Sequence, residues 1–326
     1  MQMMVKKILE AIYEVDFLDF SYGFRPNKSC QGALDRLDKM IAGNKVNYII
    51  DADIKGFFDN VNHNWMVKCL EQRVSDKSLI RLIVRILKGG VMEEGNFSQS
   101  EKGTPQGGIL SPLLANIYLH YVLDLWLEKV VKKNCKGFVG IVRYADDFVI
   151  CVQSEIDAKR ILSALRKRMC RFGLELAEEK TKIIGFGRKV SKDDDETFNF
   201  LGFTHFNDKT RRGNYKVGRK TEKKRFTKAL KEMNSWLRSV RNAVKVSEWW
   251  STLKAKLRGY YAYYGVSGNM RWLNKYKRLV EKQVFKWLNR MRQKRQYSWN
   301  WFIEYRDRFP LPKPKIYCNL YYSYSY

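Results

Sequence analysis

The sequence predicts an α+β chain in two parts: a strand-bearing domain over residues 1–210 and an all-α, strongly basic domain over residues 211–326. Three observations predict this. Apolar, β-rich runs stand at 47–54, 138–142 and 148–152, while elsewhere apolar residues recur at the three- and four-residue spacing of helices. The chain carries a net charge of +28, and residues 211–326 hold 30 Lys and Arg against 6 Asp and Glu, leaving only +4 for the rest. So lopsided a charge points to a polyanionic partner rather than to a basic surface helix. A length of 326 residues with 45% hydrophobic content suits two domains with real cores and argues against disorder.

In order, residues 4–18 carry Val5, Ile8, Leu9, Ile12 and Tyr13 at helical spacing, and Ser21 to Ser29 reads as a loop punctuated by Gly23 and Pro26. A helix comes next, from about Ser29 to Ile41, burying Ala33, Leu34, Leu37, Met40 and Ile41. Asn47 to Ile54 is a strand ending in acid, broken by Lys55-Gly56-Phe57-Phe58-Asp59. Helices are expected over His63–Arg73 and Asp76–Leu87, the second stopped by Gly89-Gly90. Thr104 to Gly108 is a tight glycine loop, after which Ser111 as N-cap and Pro112 in the first turn open a long helix with a wide apolar face. Phe138–Val142 and Phe148–Val152 make a β-hairpin with Asp146 and Asp147 at or beside its tip. Ile156, Ile161, Leu165, Met169 and Phe172 mark an amphipathic helix, and Ser191–Glu196 is a polar acidic loop. From Lys220 onward there are three helical stripes: Phe226 to Val244, Trp250 to Tyr264 and Leu273 to Trp287.

Adjacent like charges are costly unless something positive neutralises them. An isolated Asp-Asp pair is more often a solvated turn, but here a second acidic site, Asp53, closes an upstream strand. A strand end and a hairpin tip in one sheet can hold Asp53 and Asp146 around shared Mg²⁺ ions, whose hard oxygen ligands suit phosphoryl transfer. Asp51 shares a strand face with Asp53 and reads as an ordinary polar residue or a support for it. The six cysteines lack Cys-x-x-Cys spacing and the three histidines are not paired, so neither a disulfide framework nor a zinc site is expected. With no signal peptide and no long apolar run, the expectation is an intracellular protein with no membrane partner.

Tyr144-Ala145-Asp146-Asp147 and Asp53-Ile54-Lys55-Gly56-Phe57-Phe58-Asp59 resemble blocks of a reverse transcriptase of the group II intron-encoded type. Ser21-Tyr22-Gly23-Phe24-Arg25-Pro26 and Gly103-Thr104-Pro105-Gln106-Gly107-Gly108-Ile109-Leu110-Ser111-Pro112 match two further blocks in the right order. Leu257-Arg258-Gly259-Tyr260-Tyr261-Ala262-Tyr263-Tyr264 resembles the maturase-specific domain of such proteins.

The resemblance implies a right-hand polymerase palm with partial fingers, then a basic helical thumb or maturase domain. The family's first fingers block would precede this chain, and its His-Asn-His nuclease has no counterpart at the end. The implied activity is RNA-directed DNA polymerisation, with Asp53, Asp146 and Asp147 catalytic and with Asp53, Ile54, Asp146 and Asp147 ligating two Mg²⁺. Arg25, Phe58, Gln106, Gly107 and Lys180 would contact the nucleotide, and Leu201 and Gly202 would grip the primer. Lys223, Lys224, Lys228, Lys254, Lys256 and Arg258 would contact RNA. Arg25 reads equally as a structural arginine tied to an acidic neighbour, Phe58 as a core ring like Phe57, and Lys180 as a solvated lysine. The implied partners are an RNA template, a DNA or RNA primer, deoxynucleoside triphosphates and structured group II intron RNA, in a bacterial-type cytoplasm. The alternatives are a non-catalytic RNA-binding splicing maturase and a reverse transcriptase domesticated for phage defence.

Overall fold

The computed structural model describes residues 1–89, 91–93, 96–98, 102–104, 108–190, 196–290 and 297–321. The chain divides into two compact units, Met1–Leu201 with Asn207–Val217, and Gly202–Phe206 with Gly218–Tyr326. The boundary expected at residue 210 thus falls between two strands of a hairpin shared by both units.

In the first unit, α1 (Gln2–Tyr13) and α2 (Cys30–Gly43) precede β1 (Tyr48–Ala52). Ser29 caps α2, its hydroxyl accepting the Gly32 N–H at 3.0 Å. A short α3 (Phe57–Asn60) leads to α4 (His63–Leu70) and α5 (Lys77–Lys88), the latter capped by Asp76. Next come the ribbon of β2 (Val91–Glu93) and β3 (Asn96–Ser98), and then α6 (Ser111–Leu119).

Ser111 is not the cap expected of it. The Leu110 carbonyl already accepts the Leu113 and Leu114 N–H groups, so the helix starts one residue earlier and Ser111 lies inside it. The expected long helix is also interrupted, because π-helical turns at His120–Asp124 and Leu127–Val131 carry the chain onward.

β4 (Val139–Tyr144) and β5 (Asp147–Val152) form the expected hairpin, and α7 (Glu155–Arg171) and β6 (Lys182–Gly185) come after it. These strands make an antiparallel sheet in the order β4-β5-β1-β6. Every residue from Phe148 to Val152 is buried, which explains why β5 reads as a continuous apolar run rather than an alternating one. The core beneath the sheet joins Phe57, Tyr118, Ile141, Ile150, Leu165 and Met169. A second sheet is formed by β7 (Phe198–Phe200), β8 (Phe203–Lys209) and β9 (Tyr215–Thr221).

In the second unit, α8 (Lys223–Val240), α9 (Val246–Tyr264) and α10 (Met270–Asn289) realise the three stripes, and α11 (Trp299–Arg308) adds a fourth helix. Phe226, Leu253, Leu257, Val284 and Phe302 fill their common core. Trp287 on α10 donates its indole N–H to Asn234 on α8 at 2.9 Å, and Trp250 on α9 donates to the Phe309 carbonyl at 3.0 Å. Among the described residues, no helix is long and apolar enough to cross a membrane.

Candidate active site

Strand register brings the acidic positions together. β1 pairs with β5 so that its last residue, Ala52, faces Phe148, which leaves Asp53 just past the end of β1 and Asp147 at the start of β5. Tyr144 pairs with Asp147 across the hairpin, leaving Ala145 and Asp146 as its two-residue turn. Ala145 adopts a left-handed backbone, φ 59°.

The carboxylates crowd one another. Asp147 has its pKa pushed up to about 7, first by burial and then by the charge of Asp51, while the Leu201 backbone N–H pulls it down. Asp51 is pushed up to about 6 by burial, against the pull of Lys182 opposite it on β6. Burial also raises Asp146, with Asp53 adding to the shift and Arg143 opposing it. Asp51 therefore belongs to this charge cluster, whereas the sequence reads it first as an ordinary polar residue on the face it shares with Asp53.

Asp53 is held differently. Its carbonyl accepts the Ala177 N–H at 2.8 Å, and the next turn, in which the Ala177 carbonyl accepts the Lys180 N–H at 3.0 Å, returns Lys180 over it. The Lys180 ammonium donates to the Asp53 carboxylate. This ion pair matches neither reading of Lys180 made from the sequence.

These oxygens are the donor set a hard divalent cation takes. As they stand, no three acidic, His or Cys side chains among the described residues converge closely enough to hold one ion, and Asp53 is engaged by Lys180 instead. The lysine is 63% exposed and free to swing into solvent. The residues fit the cation in composition, not as a finished cage.

Ile54 has its side chain in the core and its backbone in an isolated bridge to Leu176. Gly56 turns the chain with φ 51° into α3, burying Phe57 and leaving Phe58 half-buried beside it, ring centroids 5.4 Å apart. Gly103 lies so close to this helix that a Cβ there would stand 2.7 Å from the Phe58 carbonyl oxygen.

Arg25 corrects the nucleotide-contact expectation. It is buried, its Nε and Nη2 both donate to Glu14, at 2.9 and 2.7 Å, and its Nη1 donates to the Leu18 and Ser21 carbonyls. With every guanidinium nitrogen engaged internally, it is the structural arginine that ties the loop to α1. Gln106 and Gly107 lie outside the described residues.

Leu201 and Gly202 form the β7–β8 turn, both left-handed at φ 51° and 76°. Lys223, Lys224 and Lys228 are exposed on α8; on α9, Lys256 and Arg258 are exposed and Lys254 is half-buried. A cavity of about 450 Å³ between α2 and β4 lies apart from these carboxylates, and its Lys39 and Lys132 are matched by Asp35 and Glu128.

Two features escaped the sequence reading: the Lys180–Asp53 pair and a buried network around Arg143. The second had a visible signal, since an arginine inside an otherwise apolar strand requires a buried partner.

Fold and site together define an α+β domain that presents carboxylates at a strand end and an adjacent hairpin tip. The chain belongs to the reverse transcriptase family, residues 1–205 matching the family described as reverse transcriptase (RNA-dependent DNA polymerase). It is 33% identical over 236 residues to the group II intron-encoded protein LtrA of Lactococcus lactis subsp. cremoris, a match covering 55% of this chain and 39% of that protein. It is 31% identical over 230 residues to the putative COX1/OXI3 intron 1 protein of Saccharomyces cerevisiae, covering 56% of this chain and 27% of that one. The chain therefore spans less than half the length of these two curated relatives, whose names agree with the group II intron-encoded type read from the motifs. Among solved structures, apo telomerase from Candida Tropicalis superposes with a TM-score of 0.50 at 15% identity, covering 88% of this chain and 49% of that one, a likeness of fold.

Proposed function

We propose that the chain is an RNA-directed DNA polymerase, joining deoxynucleotides to a primer 3′-hydroxyl on an RNA template. Its first unit would serve as palm and partial fingers and its second as thumb and maturase domain. The observation that supports this most is the register of β1 on β5, which ends where Asp53 and Asp147 begin, with Asp146 at the hairpin tip. Asp53, the Ile54 carbonyl and Asp146 would hold Mg²⁺, with Asp147 assisting. Two such ions, when bound, lower the pKa of the attacking hydroxyl and stabilise the departing pyrophosphate.

The chain's own residues do the positioning. To hold a cation Asp53 would give up Lys180, whose ammonium would then be available to a phosphate. Phe58, its ring packed on Phe57, would pack against a deoxyribose and clash with a 2′-hydroxyl. Gln106 and Gly107 keep their place at the nucleotide from the motif alone. The turn at Leu201 and Gly202 would guide the primer end, and its link to Asp147 through the Leu201 N–H couples that guide to the carboxylates.

Primer extension on an RNA template tests the assignment. The intact chain should extend, and Asp146→Asn should lower the rate by about a thousandfold or more, since this chemistry rests on positioning and charge. Equal extension by both proteins would remove the polymerase reading.

A second role, RNA binding by the second unit, is favoured by the exposed cations of α8 and α9 and the +24 charge of residues 211–326. Structured intron RNA is the proposed partner. The two roles are compatible in one protein.

A further inference from the structure

Arg143 lies on β4, three residues before Asp146, and is fully buried. Its guanidinium forks onto the equally buried Asp124, Nε donating to Oδ1 at 2.8 Å and Nη2 donating to Oδ2. The third nitrogen, Nη1, donates to Asn116 Oδ1 at 3.0 Å and to the carbonyl of Ala145 at 2.9 Å. Asn116 in turn donates from Nδ2 to the Gly23 carbonyl at 2.7 Å. Around this fork the backbone is pinned as well, the Arg143 N–H donating to the Phe20 carbonyl and its carbonyl accepting the Tyr22 N–H at 2.8 Å. Gly23 approaches so closely that a Cβ there would lie 2.2 Å from the Ala145 nitrogen.

Such a network is an expensive way to stabilise a fold. A buried ion pair is often no better than apolar residues of the same volume, because desolvation offsets the attraction. Asp124 closes the π-helical turn at His120–Asp124, and such turns are frequent at functional sites. What the network holds is also unusual. Ala145 is a non-glycine residue in the left-handed region, a conformation that L side chains rarely adopt. The carbonyl that receives Nη1 belongs to that residue, and the next residue is Asp146.

We propose that Arg143 is a positioning residue for Asp146: through the Ala145 carbonyl, and braced by Asp124, Asn116 and the Gly23 backbone, it fixes the hairpin turn in the state that presents the Asp146 carboxylate. The inference rests on the polymerase reading of that carboxylate. It assigns Arg143, Asp124 and Asn116 a function beyond packing, since loosening the fork should disturb the metal ligand before it disturbs substrate affinity.

The test uses the full chain with Arg143→Lys, which keeps the charge but loses the fork, and Asn116→Ala, which cuts the tie to Gly23 and leaves the ion pair intact. Each is compared with the parent for folded fraction by circular dichroism, for kcat and KM of deoxynucleotide in primer extension, and for the Mg²⁺ concentration giving half-maximal rate. Mn²⁺ binding monitored by electron paramagnetic resonance supplies a readout independent of turnover. Removing outer partners of a metal ligand typically costs about 10–100-fold in affinity or activity. The folded variants should accordingly lose about tenfold in kcat, keep KM, require more Mg²⁺ and bind Mn²⁺ more weakly. Should Arg143→Lys not fold, Asn116→Ala alone decides. Folded variants with unchanged kcat, Mg²⁺ requirement and Mn²⁺ affinity would overturn the inference, as would a loss that only tracks the unfolded fraction. Asp146→Asn separates the two readings: if it extends as well as the parent, the polymerase assignment fails while the Mn²⁺ measurement still judges the network.

Discussion

Lys180 reaches Asp53 from solvent, a mostly exposed ammonium on one carboxylate of the cluster. An exposed ion pair is worth little to stability, about 0–1 kcal/mol, so Lys180→Ala should leave the unfolding midpoint nearly unchanged. The crowding of Asp51, Asp146 and Asp147 is different, because burial raises all three, Asp53 adds to each, and Asp51 and Asp146 add to Asp147. A bound cation relieves that repulsion in the folded state only. Mg²⁺ at about ten times its Kd should therefore stabilise the fold by about 1.4 kcal/mol, read as a rise in Tm over an EDTA control. Asp147→Asn should raise Tm in EDTA and shrink the Mg²⁺ increment. An increment equal in both proteins would show that the cation binds elsewhere. At this scale the sequence showed which residues were acidic and adjacent, and spacing two apart linked Asp51 to Asp53. It could not show what neutralises them, since Lys180 is 127 positions from Asp53 and meets it only through a turn.

The elements were legible wherever a local period ran unbroken. The α2, α5 and α7 helices and the β4–β5 hairpin lie within a few residues of their expected bounds, because apolar spacing and side-chain caps act over one turn. The π-helical turns were not legible, because their sequence continues the apolar face of α6, and Arg143, the buried partner of Asp124 in the first of them, lies 19 positions away. α11 hides for another reason: its rings pack on one another, Trp301 on Tyr305 with centroids 5.2 Å apart, and leave no clean apolar stripe.

Two predictions belong to the π-helical turn. Removing one partner of a buried ion pair costs about 3–5 kcal/mol, whereas replacing both with apolar residues is often neutral. Asp124→Leu alone should lower the urea midpoint sharply, and Asp124→Leu with Arg143→Met should recover most of it while extension stays impaired. Recovery of both would reduce the network to packing. His120 begins the same turn, buried between the rings of Phe17 and Tyr121, and its burial lowers its pKa below 6.5. Asp124 and Asp16 favour its charged form, and Arg143 and Lys129 oppose it, burial being the largest influence. The folded state therefore binds fewer protons than the unfolded one below that pH, so stability is full above 6.5 and is lost as pH falls beneath it. His120→Gln should flatten the acid side of the Tm profile; an unaltered profile would remove the histidine from the account.

At the scale of the whole molecule, charge was the most legible property and register the least. The count of 30 cations against 6 anions in residues 211–326 needs no structure, whereas the order β4-β5-β1-β6 depends on pairings between residues about a hundred positions apart. The shared hairpin of β8 and β9 was likewise invisible, because its strands belong partly to each unit. Lys223, Lys224 and Lys228 are exposed along the first turns of α8, and among the described residues only Lys228 of the three has an acidic partner in reach, Glu232 at 3.8 Å and itself 65% exposed. If these lysines meet RNA phosphates, each contact releases counterions, and the logarithm of affinity falls with that of salt by about 0.7–0.9 per contact. The full chain should bind structured RNA with a steep salt slope. Replacing all three lysines with alanine should make that slope shallower by about 2, with affinity falling by a similar factor for every RNA tried. Loss confined to one RNA would instead mean that these side chains read bases, and an unchanged slope would move the RNA path off α8 altogether.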